Sequence, residues 1–175
     1  MRRAWCELSH PPTGLDGTDS GVLCSCHFER SGAEKSRFER IRRAKAVKHI
    51  EVVAAIIVHD GKILATQRGY GNYKGSWEFP GGKIEPGEAP EAALVREIHE
   101  ELDADIEVGP KLITVDYDYP EFAMTMQCFV CTLASGMKLL EHSDARWLGR
   151  DELDDVGWLP SDVEVVAAIR DAGVV

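Results

Sequence analysis

The hexapeptide Arg96-Glu97-Ile98-His99-Glu100-Glu101 sets carboxylates and a guanidinium side by side. In an α-helix, at roughly 100° per residue, Glu97, Glu100 and Glu101 fall within about 100° of arc on one face. Glu97 with Glu101 is then a like-charge i,i+4 pair, and Glu97 with Glu100 an i,i+3 pair. Each such pair costs about 0.2–0.5 kcal/mol in an isolated helix. Leu94, Ile98 and Leu102 form an apolar stripe on the neighbouring flank, which anchors the helix to a core. A solvated face would alternate in sign. Carboxylates gathered beside a buried stripe make sense if a divalent cation neutralises them, and all-oxygen ligands suit Mg²⁺ or Mn²⁺. For the hexapeptide alone a wet acidic face is the plainer reading, so the flanking residues must decide.

Those residues form an ordered series. Trp77-Glu78-Phe79-Pro80-Gly81-Gly82 is a short apolar strand running into a double glycine. Glu85-Pro86-Gly87-Glu88 carries Pro then Gly at its centre, a type II turn signal. Pro90 suits the first turn of a helix, where its missing N–H is not needed. The order is strand, glycine loop, tight turn, acidic helix.

Residues 82–103, GKIEPGEAPEAALVREIHEELD, closely resemble the Nudix box, G-x5-E-x7-R-E-U-x-E-E-x-G-U, where U is a bulky apolar residue. Gly82, Glu88, Arg96, Glu97, Ile98, Glu100 and Glu101 match at the right spacing. Asp103 stands where the pattern has Gly, and Ala104 where it has a bulky apolar residue. Asp tolerates the left-handed conformation of a helix C-cap, though less well than Gly. These departures touch the helix exit and no expected ligand. The resemblance extends over residues 48–172.

It implies an α/β fold, the Nudix α/β/α sandwich with a mixed β-sheet, and hydrolysis of a nucleoside diphosphate linked to another group. By match to the box, Glu97, Glu100 and Glu101 are expected to ligate Mg²⁺ or Mn²⁺, joined by the backbone carbonyl of Gly81. Arg96 is expected to orient a box carboxylate, Glu100 being its i,i+4 neighbour, and Glu88 to brace the loop. Glu141 lies in the loop Leu140-Glu141-His142-Ser143-Asp144, where relatives place a glutamate in the metal cluster or on the attacking water. An ordinary surface glutamate is the competing reading, and the general base stays open between Glu97 and Glu141. His99 and His142 are read as exposed histidines, His99 pointing away from the glutamate face.

Ala65-Thr66-Gln67-Arg68, Trp77–Lys83 and Leu159-Pro160-Ser161-Asp162-Val163 resemble the MutT branch. That branch converts nucleoside triphosphates to monophosphate and pyrophosphate, and includes 8-oxo-dGTP diphosphatases and CTP pyrophosphohydrolases. The resemblance makes Arg68 a contact to phosphate or base. It adds Gly82 and Lys83 to the substrate-binding set, and Phe79 as a wall of the base pocket or a core residue. Asp162 faces the base edge or merely stabilises a helix N-terminus. The expected partner is a small-molecule nucleotide. A Nudix hydrolase acting on another nucleoside diphosphate derivative is one alternative, and a nucleotide-binding or regulatory module without turnover is another; such modules lose box carboxylates, and here all are present.

The chain of 175 residues is 44% hydrophobic and 29% charged, which suits one globular domain. Its net charge of −10 argues against stable nucleic-acid binding. Basic residues cluster only around Arg37 to Lys48. The sequence has neither an 18-residue apolar run nor an apolar leader, so a cytoplasmic protein without a membrane span is expected. Monomer and homodimer remain equally open. Cys128 and Cys131, three apart in a strand-like run, should lie on opposite sheet faces and so share neither a disulfide nor a metal. Cys24, Cys26 and His27 lack a second ligand pair at zinc-finger spacing.

Residues 1–46 show no core-forming pattern before a short basic segment at 33–46. They are read as a dispensable extension, with Val47 as an alternative start, ahead of a domain at 47–175. Within that domain Ile50–His59 reads as a buried strand, and Asp60-Gly61 as a hairpin turn into Ile63–Gln67. Ser76–Phe79, Lys111–Tyr119, Phe122–Leu133 and Arg146–Leu148 read as further strands. A last helix should open at Leu159–Asp162 and run through Arg170, with Ser161 and Glu164 at capping-box spacing.

Overall fold

The computed structural model describes residues 48–175; residues 1–47, with the 33–46 segment and the Cys24-Cys26-His27 group, lie outside the described residues. The strands are β1 (Lys48–His59), β2 (Lys62–Gln67), β3 (Trp77–Glu78), β4 (Gly81–Lys83), β5 (Ile106–Asp118), β6 (Phe122–Leu133) and β7 (Asp144–Leu148). The helices are α1 (Pro90–Leu102) and α2 (Asp162–Ala172), with a short 3₁₀ turn at Arg150–Glu152.

β1 is the centre of the sheet. It pairs in parallel with β6 from Lys48↔Phe122 to Val58↔Thr132. Its other edge is shared by β2, at Val58 and His59, and by β4, at Val52 to Ala54. β5 lies antiparallel on β6, while β3 and β7 both pair with β2. The sheet is therefore mixed.

The period-2 alternation of β1 feeds two cores. Ala54 and Ile56 pack with Val165, Val166 and Ile169 of α2. Val53, Ala55 and Ile57 pack with Ala93, Leu94, Ile98 and Leu102 of α1. One helix covers each face, giving the α/β/α sandwich. Cys128 belongs to the α2 side and Cys131 to the α1 side, as their offset predicts. Burying Leu94, Ile98 or Leu102 contributes about 1.5–3 kcal/mol each. That outweighs the like-charge repulsion on the neighbouring flank of α1, so the acidic helix can form.

The turns follow their local chemistry. Asp60 and Gly61 both take positive φ, 47° and 70°, the requirement of a tight hairpin turn. Gly87 has φ 84°, and Glu88 N–H donates to Glu85 O at 3.0 Å. Asp103, in place of the box glycine, adopts φ 45° and caps α1 by donating its N–H to His99 O. β5 begins at Ile106, before the expected Lys111, and absorbs Gly109-Pro110 in bulges, where a missing proline N–H is tolerated.

The predicted capping box of α2 does not form. Ser161 already has helical angles (φ −67°, ψ −29°), and its hydroxyl bonds no helix amide. The hydroxyl donates instead to Asp162 Oδ2 at 2.8 Å. Gly173 ends the helix at φ 63°. Among the described residues no helix is long and apolar enough to cross a membrane.

Candidate active site

α1 presents its carboxylates unequally. Glu97 and Glu101 turn into a cleft of about 280 Å³, whose walls include Arg68, Tyr70, Glu78 and Glu141. Glu100 does not line it; its side chain is 57% exposed against 16% for Glu97. The expected three-carboxylate face is thus split, because Glu100 sits at the edge where solvent solvates it.

Arg96 holds box carboxylates, as expected, but its closest partners are Glu88 and Glu97, with Glu100 farther away. Its Nε and Nη2 donate to Glu88 Oε1 and Oε2 at 3.0 and 2.8 Å, a fork-on-fork pair. Nη1 donates to Glu97 Oε1 at 2.8 Å, whereas Glu100 Oε2 is a longer 3.4 Å away. Nη2 also meets Lys83 O at 3.0 Å. Arg96 therefore ties the turn, the glycine loop and Glu97 together, and holds Glu100 only loosely. Glu88 also accepts the Glu85 amide, so it braces the loop. Arg96 and that amide hold the Glu88 carboxyl down at about 2.

The glycine loop fits closely against the carboxylates. Gly81 N–H donates to Glu101 Oε2 at 3.0 Å. Gly81 has φ 149°, and a Cβ there would collide with Val53 O. A Cβ at Gly82 would collide with the Glu97 carboxylate. Burial pushes the Glu101 carboxyl up to about 7. His142 and the Gly81 amide pull it down, while Glu78 and Glu97 push it further up.

Glu78, Tyr70 and His142 join the site without having been singled out from the sequence for it. Arg68 Nη1 donates to Glu78 Oε2, and Glu78 Oε1 lies 3.4 Å from His142 Nε2. The His142 side chain is only 5% exposed, with Nδ1 buried and unpartnered, which corrects the exposed reading. The β6–β7 loop folds back on β2 and β3 and carries this imidazole under the surface. His99 is exposed, as expected. Strand alternation could have flagged Glu78: Trp77 and Phe79 face the α2 core, so Glu78 points to the α1 side, where the box carboxylates lie. Glu141 is exposed, at the mouth of the cleft, and Tyr70 OH donates to its Oε2 at 3.1 Å.

A second cleft of about 700 Å³ adjoins the first and shares Arg68, Glu78, Gly81, Gly82 and Lys83 with it. Its walls include Tyr73, Phe79, Met124, Met126 and Asp162. Phe79 is buried and stacks on Trp158 at 4.8 Å and 20°. Phe79 N–H donates to Asp162 Oδ1 at 2.9 Å. Tyr119 OH donates to Ser161 Oγ at 3.0 Å, and Ser161 to Asp162. Burial pushes the Asp162 carboxyl up to about 7, against the pull of the Phe79 amide and the Ser161 hydroxyl. Asp162 is thus tied into the loop at Phe79, beyond a simple helix-end charge.

One end of the joined cleft is carboxylate-rich and the other aromatic and apolar. Among the described residues no three His, Cys, Asp or Glu side chains already form a closed metal cluster. The donor chemistry still fits a hard divalent cation, since Glu78, Glu97, Glu101 and Glu141 crowd one cleft and Glu101 is desolvated there.

The NUDIX domain family matches residues 48–169. The CTP pyrophosphohydrolase of Escherichia coli (strain K12) is 36% identical over 124 residues, 70% of this chain and 92% of that one. The 8-oxo-dGTP diphosphatase of Proteus vulgaris is 37% identical over 87 residues, 49% of this chain and 78% of its own. The solution structure of the E. coli ORF135 protein superposes with a TM-score of 0.65 at 34% identity, covering 72% of this chain and 94% of that one. With the box residues Glu97 and Glu101 set in one cleft of an α/β/α sandwich, and with the match spanning most of the chain, this protein belongs to the Nudix family and is a Nudix hydrolase.

Proposed function

We propose that the protein is a Mg²⁺- or Mn²⁺-dependent pyrophosphohydrolase that converts a (deoxy)nucleoside triphosphate, oxidised or otherwise modified at its base, to the monophosphate and pyrophosphate. The carrying observation is the joined cleft. Its polar end suits a cation and phosphates, and its aromatic end suits a base. The relatives named for CTP and for 8-oxo-dGTP support the same class.

Glu97, Glu101 and Glu141, joined by Glu100 and the Gly81 carbonyl, would hold the cation. A divalent cation supplies charge neutralisation and alignment of the reacting groups. Arg68 exchanges its Glu78 partner for a phosphate oxygen, and Lys83 adds positive charge at the junction of the clefts. A water oxygen bonds to phosphorus, the anhydride bond to the leaving pyrophosphate breaks, and a carboxylate takes the water proton. Glu141, held by a neutral hydroxyl where Glu97 is held by a guanidinium, suits that last role better. Asp162 accepts from a donor on the base edge, because its carboxyl already takes the Phe79 and Ser161 donors on the protein side.

The test is pyrophosphate release from a panel of normal and oxidised nucleoside triphosphates with Mg²⁺, Mn²⁺ or EDTA. Activity on some panel members that vanishes with EDTA supports the reading. No pyrophosphate from any member sinks it.

A further inference from the structure

Glu141 sits on a loop whose backbone is pinned on both sides. Leu140 N–H donates to Glu101 O at 2.9 Å, and Ser143 N–H donates to Gln67 O at 3.0 Å. The Glu141 carbonyl lies so near Gly69 that a Cβ there would approach it to 3.1 Å. What the backbone leaves free is the Glu141 side chain, with its rotatable bonds. Its neighbours in the cleft, Glu78, Glu97 and Glu101, repel it toward solvent. Among the described residues its hydrogen bond comes from a single group, the hydroxyl of Tyr70.

Tyr70 is placed for this task by its own loop. It stands between Gly69, which allows the close approach to Glu141 O, and Gly71, at φ 78°. The residue is 57% exposed, so core packing does not explain a large aromatic there. Its face lies 5.8 Å from the Arg68 guanidinium carbon, within cation–π range. One side chain therefore touches the loop carboxylate with its hydroxyl and the guanidinium with its ring.

We propose that Tyr70 is a positioning residue with two separable parts: its hydroxyl selects the Glu141 side-chain orientation that overlooks the cleft, and its ring steadies Arg68. This rests on the hydrolase reading above, in which Glu141 serves the chemistry and Arg68 serves binding. The two parts act on different kinetic constants.

The experiment is steady-state pyrophosphate release, with saturating Mg²⁺, on the best nucleotide of the panel. Tyr70→Phe keeps the ring and loses the hydroxyl; kcat should fall about tenfold with KM within about twofold of wild type. Tyr70→Ala should show the same fall in kcat and raise KM about threefold more. In a Glu141→Ala background Tyr70→Phe should change nothing further. Because the side chain is exposed, melting temperatures should stay near wild type and separate positioning from unfolding. A wild-type kcat in Tyr70→Phe, a loss confined to KM, or an equal loss in the Glu141→Ala background would overturn the proposal. Absence of pyrophosphate release by the wild type would overturn the hydrolase reading and this one with it; release by the wild type with Tyr70→Phe unaffected would overturn this one alone.

Discussion

The Asp162 carboxylate accepts the Phe79 amide at 2.9 Å, joining the start of α2 to the strand that leads into the glycine loop. Two residues far apart in the chain thereby share the wall of the second cleft. Replacing Asp162 should alter base choice, not chemistry. An asparagine can donate as well as accept, so Asp162→Asn should reorder kcat/KM among bases. Asp162→Ala should depress it with Mg²⁺ affinity intact. An unchanged ranking in both variants would leave the residue a structural tie only.

The same carboxyl predicts a pH effect on stability. Its value is raised from 3.8 to about 7, chiefly by burial. Between those values the folded state keeps a proton that the unfolded chain has lost, so stability falls as pH rises. The contribution is complete below 3.8 and gone above about 7. Asp162→Asn removes this dependence. The melting temperature of the variant minus that of wild type should therefore climb between pH 4 and pH 8. A flat difference would contradict the assignment.

Glu101→Gln and Glu100→Gln should each lower kcat roughly 100-fold or more, and raise the Mg²⁺ concentration needed for saturation. They should differ in stability. Glu101 is half-buried and holds the Gly81 amide, so its melting temperature should move, whereas exposed Glu100 should leave it unchanged. Near wild-type kcat in a folded variant of either would remove the case for carboxylate-bound cation.

The adjacent glycines should separate fold from function. Gly81→Ala sets a Cβ against Val53 backbone at φ 149°, which cannot yield cheaply. It should cost about 1–3 kcal/mol of stability. Gly82→Ala meets only the end of the Glu97 side chain, which can swing aside. Its melting temperature should hold while kcat falls about tenfold. Equal destabilisation by both would refute the distinction.

We also propose that residues 1–46 are dispensable. The family match begins at Lys48. A chain beginning at Val47 should equal the full chain in melting temperature and kcat/KM. A tenfold drop, about 1.4 kcal/mol, would show that the segment contributes.

Much of the frame was legible in residue order because its causes are local. The period of Leu94, Ile98 and Leu102 requires a helix buried on one side. Pro86-Gly87 dictates its turn, Asp103 its left-handed cap, and the alternation of β1 its two cores. The spacing of the box also put Glu97 and Glu101 on one wall before any fold was known. Side-chain partners were another matter. Arg96 had Glu100 one helical turn away, yet its fork closes on Glu88, because the turn brings that carboxylate to the open side of the guanidinium. Ser161 had capping-box spacing, yet its hydroxyl goes to Asp162, because the residue is already helical. His142 looked like a loop histidine, yet it lies buried against Glu78, because a returning loop covers it. Backbone conformation follows from steric preferences a few residues wide, and the sequence carries those directly. A hydrogen bond follows from which group arrives at about 3 Å, and only the packed sheet and its loops decide that.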